Sequence, residues 1–230
     1  MEIKFDETIR EKAPGVRLLV GEATVVDSPT DDRLWSEIET VSKRIAESYE
    51  MPMVNKRPGI AATRAAYKAC GKEPNRYRPS TEAMCRRIVR GDGLYRTTAI
   101  VDLINLVSIV SGYSIGAFDR DKIEGEVLTL GVGREGEPYE AIHRGPLNIA
   151  GMPVLRDSVG GIATPTSDNA RTCMTSLTRH LLIVVNIYGE EMDPEGVVSY
   201  TTRLLRDYAH ATDIAFNIWS PDATAPVYME

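Results

Sequence analysis

The sequence predicts an α+β protein: a single domain in which a mixed β-sheet is flanked by helices. Three observations lead to this fold class. Helical periodicity dominates the first half of the 230 residues, β-rich segments separated by Gly and Pro dominate the second half, and a further helical segment follows near the end. No internal repeat, low-complexity tract or linker divides the chain, so one structural unit accounts for it.

The first half begins with a β-rich segment at 16–26 and continues with four helical segments. Residues 31–49 carry apolar side chains at three- and four-residue spacing, which is typical of an amphipathic helix. Pro58 can begin a second helix, Ser80 is a candidate N-cap for a third, and residues 100–110 are apolar almost all round, which predicts a buried helix. Residues 1–57 are interpreted as an N-terminal strand–helix elaboration packed on a core of residues 58–230.

The second half predicts short strands and a last helix. The β-rich segments lie at 114–118, 126–133, 154–156, 180–188 and 214–219. Pro194 can begin the last helix, which is expected to end near His210.

Composition excludes several classes of protein. No apolar run is long enough to span a bilayer, and the charged N-terminal residues do not resemble a secretory signal, so we expect a cytoplasmic protein without a membrane partner. Three cysteines without close spacing indicate reduced thiols rather than a zinc site. The glycines of residues 131–136 have dinucleotide-motif spacing but lack a following helix. We therefore expect no metal and no cofactor.

Charge is distributed unevenly along an acidic chain whose net charge is −6. The segment from Lys56 to Arg96 carries eleven basic residues and three acidic ones, a local net charge of +8. Such a segment is typical of an anion or nucleic-acid footprint, although solvated helix faces that pair with acids elsewhere give the same pattern. Arg86 and Arg90 share one helix face, and with Arg96 they are the candidate RNA-binding residues.

The stretch SVGGIATPTSD, residues 158–168, is the most unusual polar segment. The pair Gly160 and Gly161 allows a backbone to approach a ligand closely. Four polar residues follow the pair and can hold an amino group, a carboxylate or a water: Thr164, Thr166, Ser167 and Asp168. A proline-anchored turn whose hydroxyls satisfy their own backbone is the alternative interpretation.

The histidines carry less information. They are scattered along the chain, and a buried or surface structural role is the ordinary interpretation of each. His143 is the best functional candidate among them because it falls in a predicted loop.

Residues 93–119, GLYRTTAIVDLINLVSIVSGYSIGAFD, resemble the B3/B4 domain of the phenylalanyl-tRNA synthetase β subunit. The matching positions are Val101-Asp102, Asn105, Gly112 and Ala117-Phe118-Asp119, and downstream Val159-Gly160-Gly161 matches a glycine-rich loop of that domain. The resemblance extends over roughly residues 75–188. Two departures stand out. The family's histidine before Ala-Phe-Asp falls on Gly116, and its tyrosine-reading glutamate has no clear equivalent.

The resemblance implies a B3/B4-like fold and a pocket for a small amino-acid-like ligand, formed by Asn105, Gly116, Gly160 and Gly161 together with the polar residues up to Asp168. In the synthetase this domain removes wrongly attached amino acids from tRNA. Two functions therefore compete. The first is binding of an aminoacyl group or an aminoacyl-tRNA 3′ end, with hydrolysis of mischarged aminoacyl-tRNA in trans as the associated activity, and the second is non-catalytic binding of a free amino acid, a related small molecule or RNA. A purely structural interaction module is a third interpretation, which leaves the polar stretch unexplained.

Overall fold

A computed structural model describes residues 1–223 and 225–229 of the protein. Six α-helices and eleven β-strands alternate along these residues, together with three short 3₁₀ segments. The helices are α1 (Glu7–Lys12), α2 (Asp32–Ser48), α3 (Pro58–Cys70), α4 (Ser80–Arg90), α5 (Ala99–Ser111) and α6 (Pro194–Ala209). The strands are β1 (Glu2–Phe5), β2 (Arg17–Thr24), β3 (Ser114–Asp119), β4 (Val127–Val132), β5 (Glu140–Ala141), β6 (Gly145–Pro146), β7 (Pro153–Arg156), β8 (Gly161–Ala163), β9 (His180–Ile187), β10 (Thr212–Trp219) and β11 (Val227–Met229).

The larger sheet is antiparallel, with the strand order β11-β10-β2-β9-β3. Strand β9 lies between β2 and β3 and is buried along almost its whole length, because α5 and α6 pack near it and the second sheet covers the other side. The strand β3 lies at one edge and leaves one side of its backbone available to the loops described below.

The smaller sheet has the order β1-β4-β7-β8 and is mixed, since β1 and β4 are parallel and the other pairs are antiparallel. A hairpin of β5 and β6 stands apart from both sheets. The segment 1–57 contributes β1 to the smaller sheet and β2 to the larger one.

Local sequence accounts for where the helices begin and end. The carboxylates of Asp31 and Asp193 accept hydrogen bonds from the first-turn amides of α2 and α6, and Pro194 occupies the first position of α6. Gly112 ends α5 in the left-handed conformation, which glycine adopts without steric cost. Helix α5 is buried almost all round, as its apolar sequence predicts.

The α+β class and the mixed sheet flanked by helices are confirmed. Three features differ from the sequence prediction. A second, antiparallel sheet is present, β1 and α1 form in the charged N-terminal residues, and part of the polar stretch, 161–163, is the strand β8. Helix α4 begins at Ser80 itself, with Pro79 as its N-cap, so the predicted Ser80 cap is displaced by one residue.

Candidate functional site

A cavity of about 440 Å³, lined by both polar and apolar side chains, lies where the edge strand β3 meets the loop after β8. Helix α4 forms one wall, Asn105 of α5 and Asn186 of β9 contribute to the interior, and the turn between β5 and β6 borders the opening. The loop is fixed to α4 because the amide of Ser80 donates a hydrogen bond of 2.8 Å to the carbonyl of Pro165. We call this space the Asp168 cavity, after its one lining carboxylate among the described residues.

Burial strongly raises the pKa of the Asp168 carboxyl group. Removal from water raises its pKa from 3.8 to about 8, while the nearby backbone amide of Ala117 acts in the opposite direction by favouring the ionised form. The residue keeps part of its surface toward the cavity although its carboxyl group lies deep in the protein. At neutral pH this carboxyl therefore carries a proton, which it can release when a cation arrives.

Gly116 makes room for that carboxyl group. A Cβ atom at position 116 would stand 2.9 Å from Oδ1 of Asp168 and would also overlap the buried ring of Phe118. Glycine at this position therefore leaves space for the carboxyl group of Asp168 and for the ring of Phe118. Gly116 shapes the cavity without contributing a side chain.

Three further polar groups line the interior. The hydroxyl of Ser114 is buried, with the residue 2% exposed, and has no hydrogen-bond partner among the described residues. Nδ2 of Asn186 donates a bond of 3.1 Å to the carbonyl of Ser114, which orients the amide. Asn105 is partly exposed and lines the same space. A buried hydroxyl without a partner costs free energy, so a polar ligand that hydrogen-bonds to it would stabilise the protein.

The hydroxyls of the loop are mostly engaged within the fold. Oγ1 of Thr164 donates to the carbonyl of Ser167 and accepts from the amides of Thr166 and Ser167. Oγ1 of Thr166 is 2.7 Å from the buried hydroxyl of Tyr67. The hydroxyl of Ser167 lies 3.4 Å from the carbonyl of Asp168. The polar sequence thus serves largely to shape the loop, and Asp168 is the member that offers its side chain to the cavity.

The opening of the cavity is cationic and aromatic. Four residues border it: Arg87 of α4, Tyr95, His143 and Arg144. All of them except the half-buried Arg87 are exposed. His143 adopts a left-handed backbone with φ of 56° at the tip of the β5–β6 turn. A negatively charged group that approached this opening would meet two guanidinium groups before it reached Asp168.

The glycine pair lies in a different place from the one expected. Gly160 and Gly161 border a separate concavity with Arg156 and Asp157, and they do not line the Asp168 cavity. The amide of Gly160 donates to Oδ1 of Asp157 at 3.1 Å, so this donor is already used by the fold. Gly161 belongs to β8, where a Cβ atom would stand 2.9 Å from the ring of Tyr139. The prediction that Asn105 and the glycine pair form one pocket is therefore wrong. Asn105 lines the Asp168 cavity together with polar residues of the loop after β8.

The three predicted RNA-binding arginines differ in their availability. Arg86 is 22% exposed, and its Nε donates at 2.8 Å to the fully buried carboxylate of Glu82, which Arg64 also binds. Arg90 is 63% exposed beside Asp92, and Arg96 is 41% exposed beside Asp32. Arg86 is thus engaged in a structural ion pair, whereas Arg90 and Arg96 remain accessible.

No group of three or more His, Cys, Asp or Glu residues within 1–223 and 225–229 is arranged to hold a metal ion. Over the same part of the chain, none of the helices has the length and apolar character needed to cross a membrane.

Comparison with known proteins identifies the family. The model of the B3/4 domain matches residues 62–193, more than half of the chain, and the protein belongs to this family. Among solved structures, an N-terminal fragment of the phenylalanyl-tRNA synthetase β-subunit from Pyrococcus horikoshii is similar, with 12% sequence identity and a TM-score of 0.49. The alignment covers 100% of this chain and 54% of that one, so the chain spans about half the length of this relative. A search of curated proteins found no match.

Sequence reasoning missed Ser114, Asn186, Arg87, Tyr95 and Arg144. Ser114 and Asn186 look like ordinary strand residues, and their convergence depends on the pairing of β3 with β9. Arg87 lies in the basic segment but one position away from the face on which Arg86 and Arg90 lie. For Tyr95 the sequence does offer a signal, because an aromatic residue stands in a short polar segment between the glycines that follow α4 and the start of α5.

Proposed function

We propose that this B3/4-domain protein binds an amino-acid-like group in the Asp168 cavity, and that the group arrives as an aminoacyl ester on the 3′ end of tRNA. The α-ammonium of the ligand lies at the carboxylate of Asp168. Asn105, Asn186 and Ser114 hold the acyl carbonyl or a polar side chain.

The observation that carries this proposal is the buried Asp168 carboxyl group in a cavity that Ser114 also lines, where the buried hydroxyl of Ser114 has no hydrogen-bond partner among the described residues. An ammonium group is the ligand chemistry that satisfies such a site, because it supplies a compensating charge to the carboxylate and hydrogen-bond donors to the oxygens. The surrounding arginines favour an anionic carrier outside the cavity, as the phosphates of tRNA would provide.

Hydrolysis would need free groups that position a water molecule and stabilise an oxyanion, and three candidates from the polar stretch are already engaged. The hydroxyls of Thr164 and Thr166 and the amide of Gly160 are bonded within the fold, so these groups are not available to activate water or stabilise an oxyanion. The proposed function is therefore recognition of the aminoacyl group, with ester hydrolysis as an activity to be measured separately.

The test is a binding screen of amino acid amides against the protein. Ligand at one hundred times its Kd stabilises the fold by about 2.7 kcal/mol, which a thermal-shift assay detects. At least one amide is expected to bind, its N-acetyl derivative is expected not to bind because the ammonium is gone, and Asp168→Asn is expected to abolish binding. Asp207→Asn serves as the matched control, because it removes an exposed carboxylate outside the cavity. Equal binding of the free and N-acetylated amides would contradict the proposal.

A further inference from the structure

Tyr95 is an exposed aromatic residue, with 70% of its surface accessible. The guanidinium carbon of Arg87 lies 4.2 Å from the centre of its ring, which is a stacked cation–π arrangement. Nε of Arg87 also donates a hydrogen bond of 3.0 Å to the carbonyl of Gly93, and this bond holds the guanidinium in place. The tyrosine ring is therefore supported and positioned while most of its surface stays open.

The same ring borders the Asp168 cavity. In an aminoacyl-tRNA the amino acid is attached to the ribose of the terminal nucleotide, so an aminoacyl group inside the cavity leaves its nucleoside at the opening. Tyr95 and Arg87 stand at that opening. Resting on the function proposed above, we propose that Tyr95, supported by Arg87, is a stacking platform for the base of the nucleoside that carries the aminoacyl group.

The chemistry of the opening suits a nucleotide better than a free amino acid. An aromatic side chain stacks on any base, and a guanidinium behind the ring adds a cationic contribution. Arg87 and Arg144 supply positive charge for the phosphate that follows the nucleoside. A free amino acid would use the interior of the cavity and leave the platform without a role. The opening therefore favours a ligand whose aminoacyl group is joined to a nucleotide, as the function proposed above requires.

The test compares three probes by titration calorimetry: an amino acid amide, the same amino acid joined through a stable amide to 3′-amino-3′-deoxyadenosine, and adenosine monophosphate. The adenosine conjugate is expected to bind the parent protein more tightly than the amide. Tyr95→Ala is expected to weaken binding of the conjugate by about tenfold, within the range of stacking on one aromatic residue, and to leave the affinity for the amide unchanged. Tyr95→Phe, which keeps the ring, is expected to retain the parent affinity.

Tyr228→Ala is the matched control, since Tyr228 is 79% exposed on the edge strand β11 and does not line the cavity. If Tyr95→Ala binds the conjugate as the parent does, the platform is refuted while the function proposed for the Asp168 cavity stands. If the amide fails to bind but adenosine monophosphate binds in a Tyr95-dependent manner, the platform stands and the aminoacyl pocket is refuted. If none of the three probes binds, both are refuted.

Discussion

The carboxyl group of Asp168 predicts a measurable dependence of stability on pH. Burial raises the pKa of this group to about 8 in the folded protein, against about 3.9 in an unfolded chain. Below about pH 4 the carboxyl is protonated in both states. Between pH 4 and 8 the unfolded chain gives up this proton and the folded protein keeps it, so the free energy of unfolding falls as pH rises, and it levels off above pH 8.

The magnitude follows from the slope of about 1.4 kcal/mol per pH unit for one proton. From pH 6 to pH 8 the loss is on the order of 2 kcal/mol, since the slope flattens as the folded pKa is approached. Asp168→Asn has nearly the same shape and no titrating group, so it lacks this loss. The parent should therefore become less stable relative to the variant by about 2 kcal/mol over that range.

Urea unfolding of both proteins at pH 6, 7 and 8 gives the difference directly, because every other titrating group is common to the two. A thermal scan should show the same trend as a change of roughly 4–8 °C in the difference between the melting temperatures. Asp207→Asn, which lies outside the cavity, should show no such change against the parent. A difference between parent and Asp168→Asn that stays constant from pH 6 to 8 would refute the reasoning, because it would mean that the carboxyl is already ionised and solvated.

Three further predictions test the surroundings of the cavity. Gly160→Ala should leave the melting temperature unchanged, because no atom lies within 4 Å of the added Cβ, whereas Gly161→Ala should lower it because Tyr139 is displaced. Equal melting temperatures of the two variants would contradict the position of Gly161 against Tyr139. Thr166→Val should lower the free energy of unfolding in urea by on the order of 1–3 kcal/mol, because it leaves the hydroxyl of buried Tyr67 without its partner, and Thr166→Ser should restore most of that loss. Parent-like stability of Thr166→Val would mean that this hydrogen bond is not formed. Arg90→Ala should weaken the proposed tRNA binding and reduce its salt dependence by about one phosphate contact without changing stability, whereas Arg86→Ala should mainly destabilise the fold, since buried Glu82 loses a partner. Filter binding and thermal melting distinguish these two effects. An unchanged salt dependence for Arg90→Ala would show that Arg90 does not contact the RNA.

Much of the fold was predictable because it depends on local signals. The apolar sequence of α5, the proline at the beginning of α6 and the glycine after α5 identify these elements without reference to the rest of the chain. Strand β1 was not predictable in this way. It has four residues, two of them charged, and its formation depends on parallel pairing with β4, more than a hundred residues away.

The candidate site was predictable in part. Asn105, the polar residues after β8 and the glycine pair were all expected in one pocket. Asn105 lines the same cavity as Thr164, Thr166, Ser167 and Asp168, whereas the glycine pair borders another concavity. The sequence does not reveal that the carboxylate of Asp157 turns back to bind the amide of Gly160, because that bond exists only once the turn has formed. Nor does it reveal that the ring of Phe118 and the carboxyl group of Asp168 fill the space where a side chain at position 116 would lie.

The central claim is that Asp168 receives the ammonium group of an amino-acid-like ligand, and proton release on binding tests it most directly. At pH 6.5 the carboxyl is protonated in the free protein, while the ammonium of an amino acid amide is largely charged. Calorimetric titration in two buffers of different ionisation enthalpy measures the protons exchanged. The account predicts the release of close to one proton per ligand bound to the parent and no release, with little binding, for Asp168→Asn. Binding to the parent without proton release, or equal binding to Asp168→Asn, would contradict it.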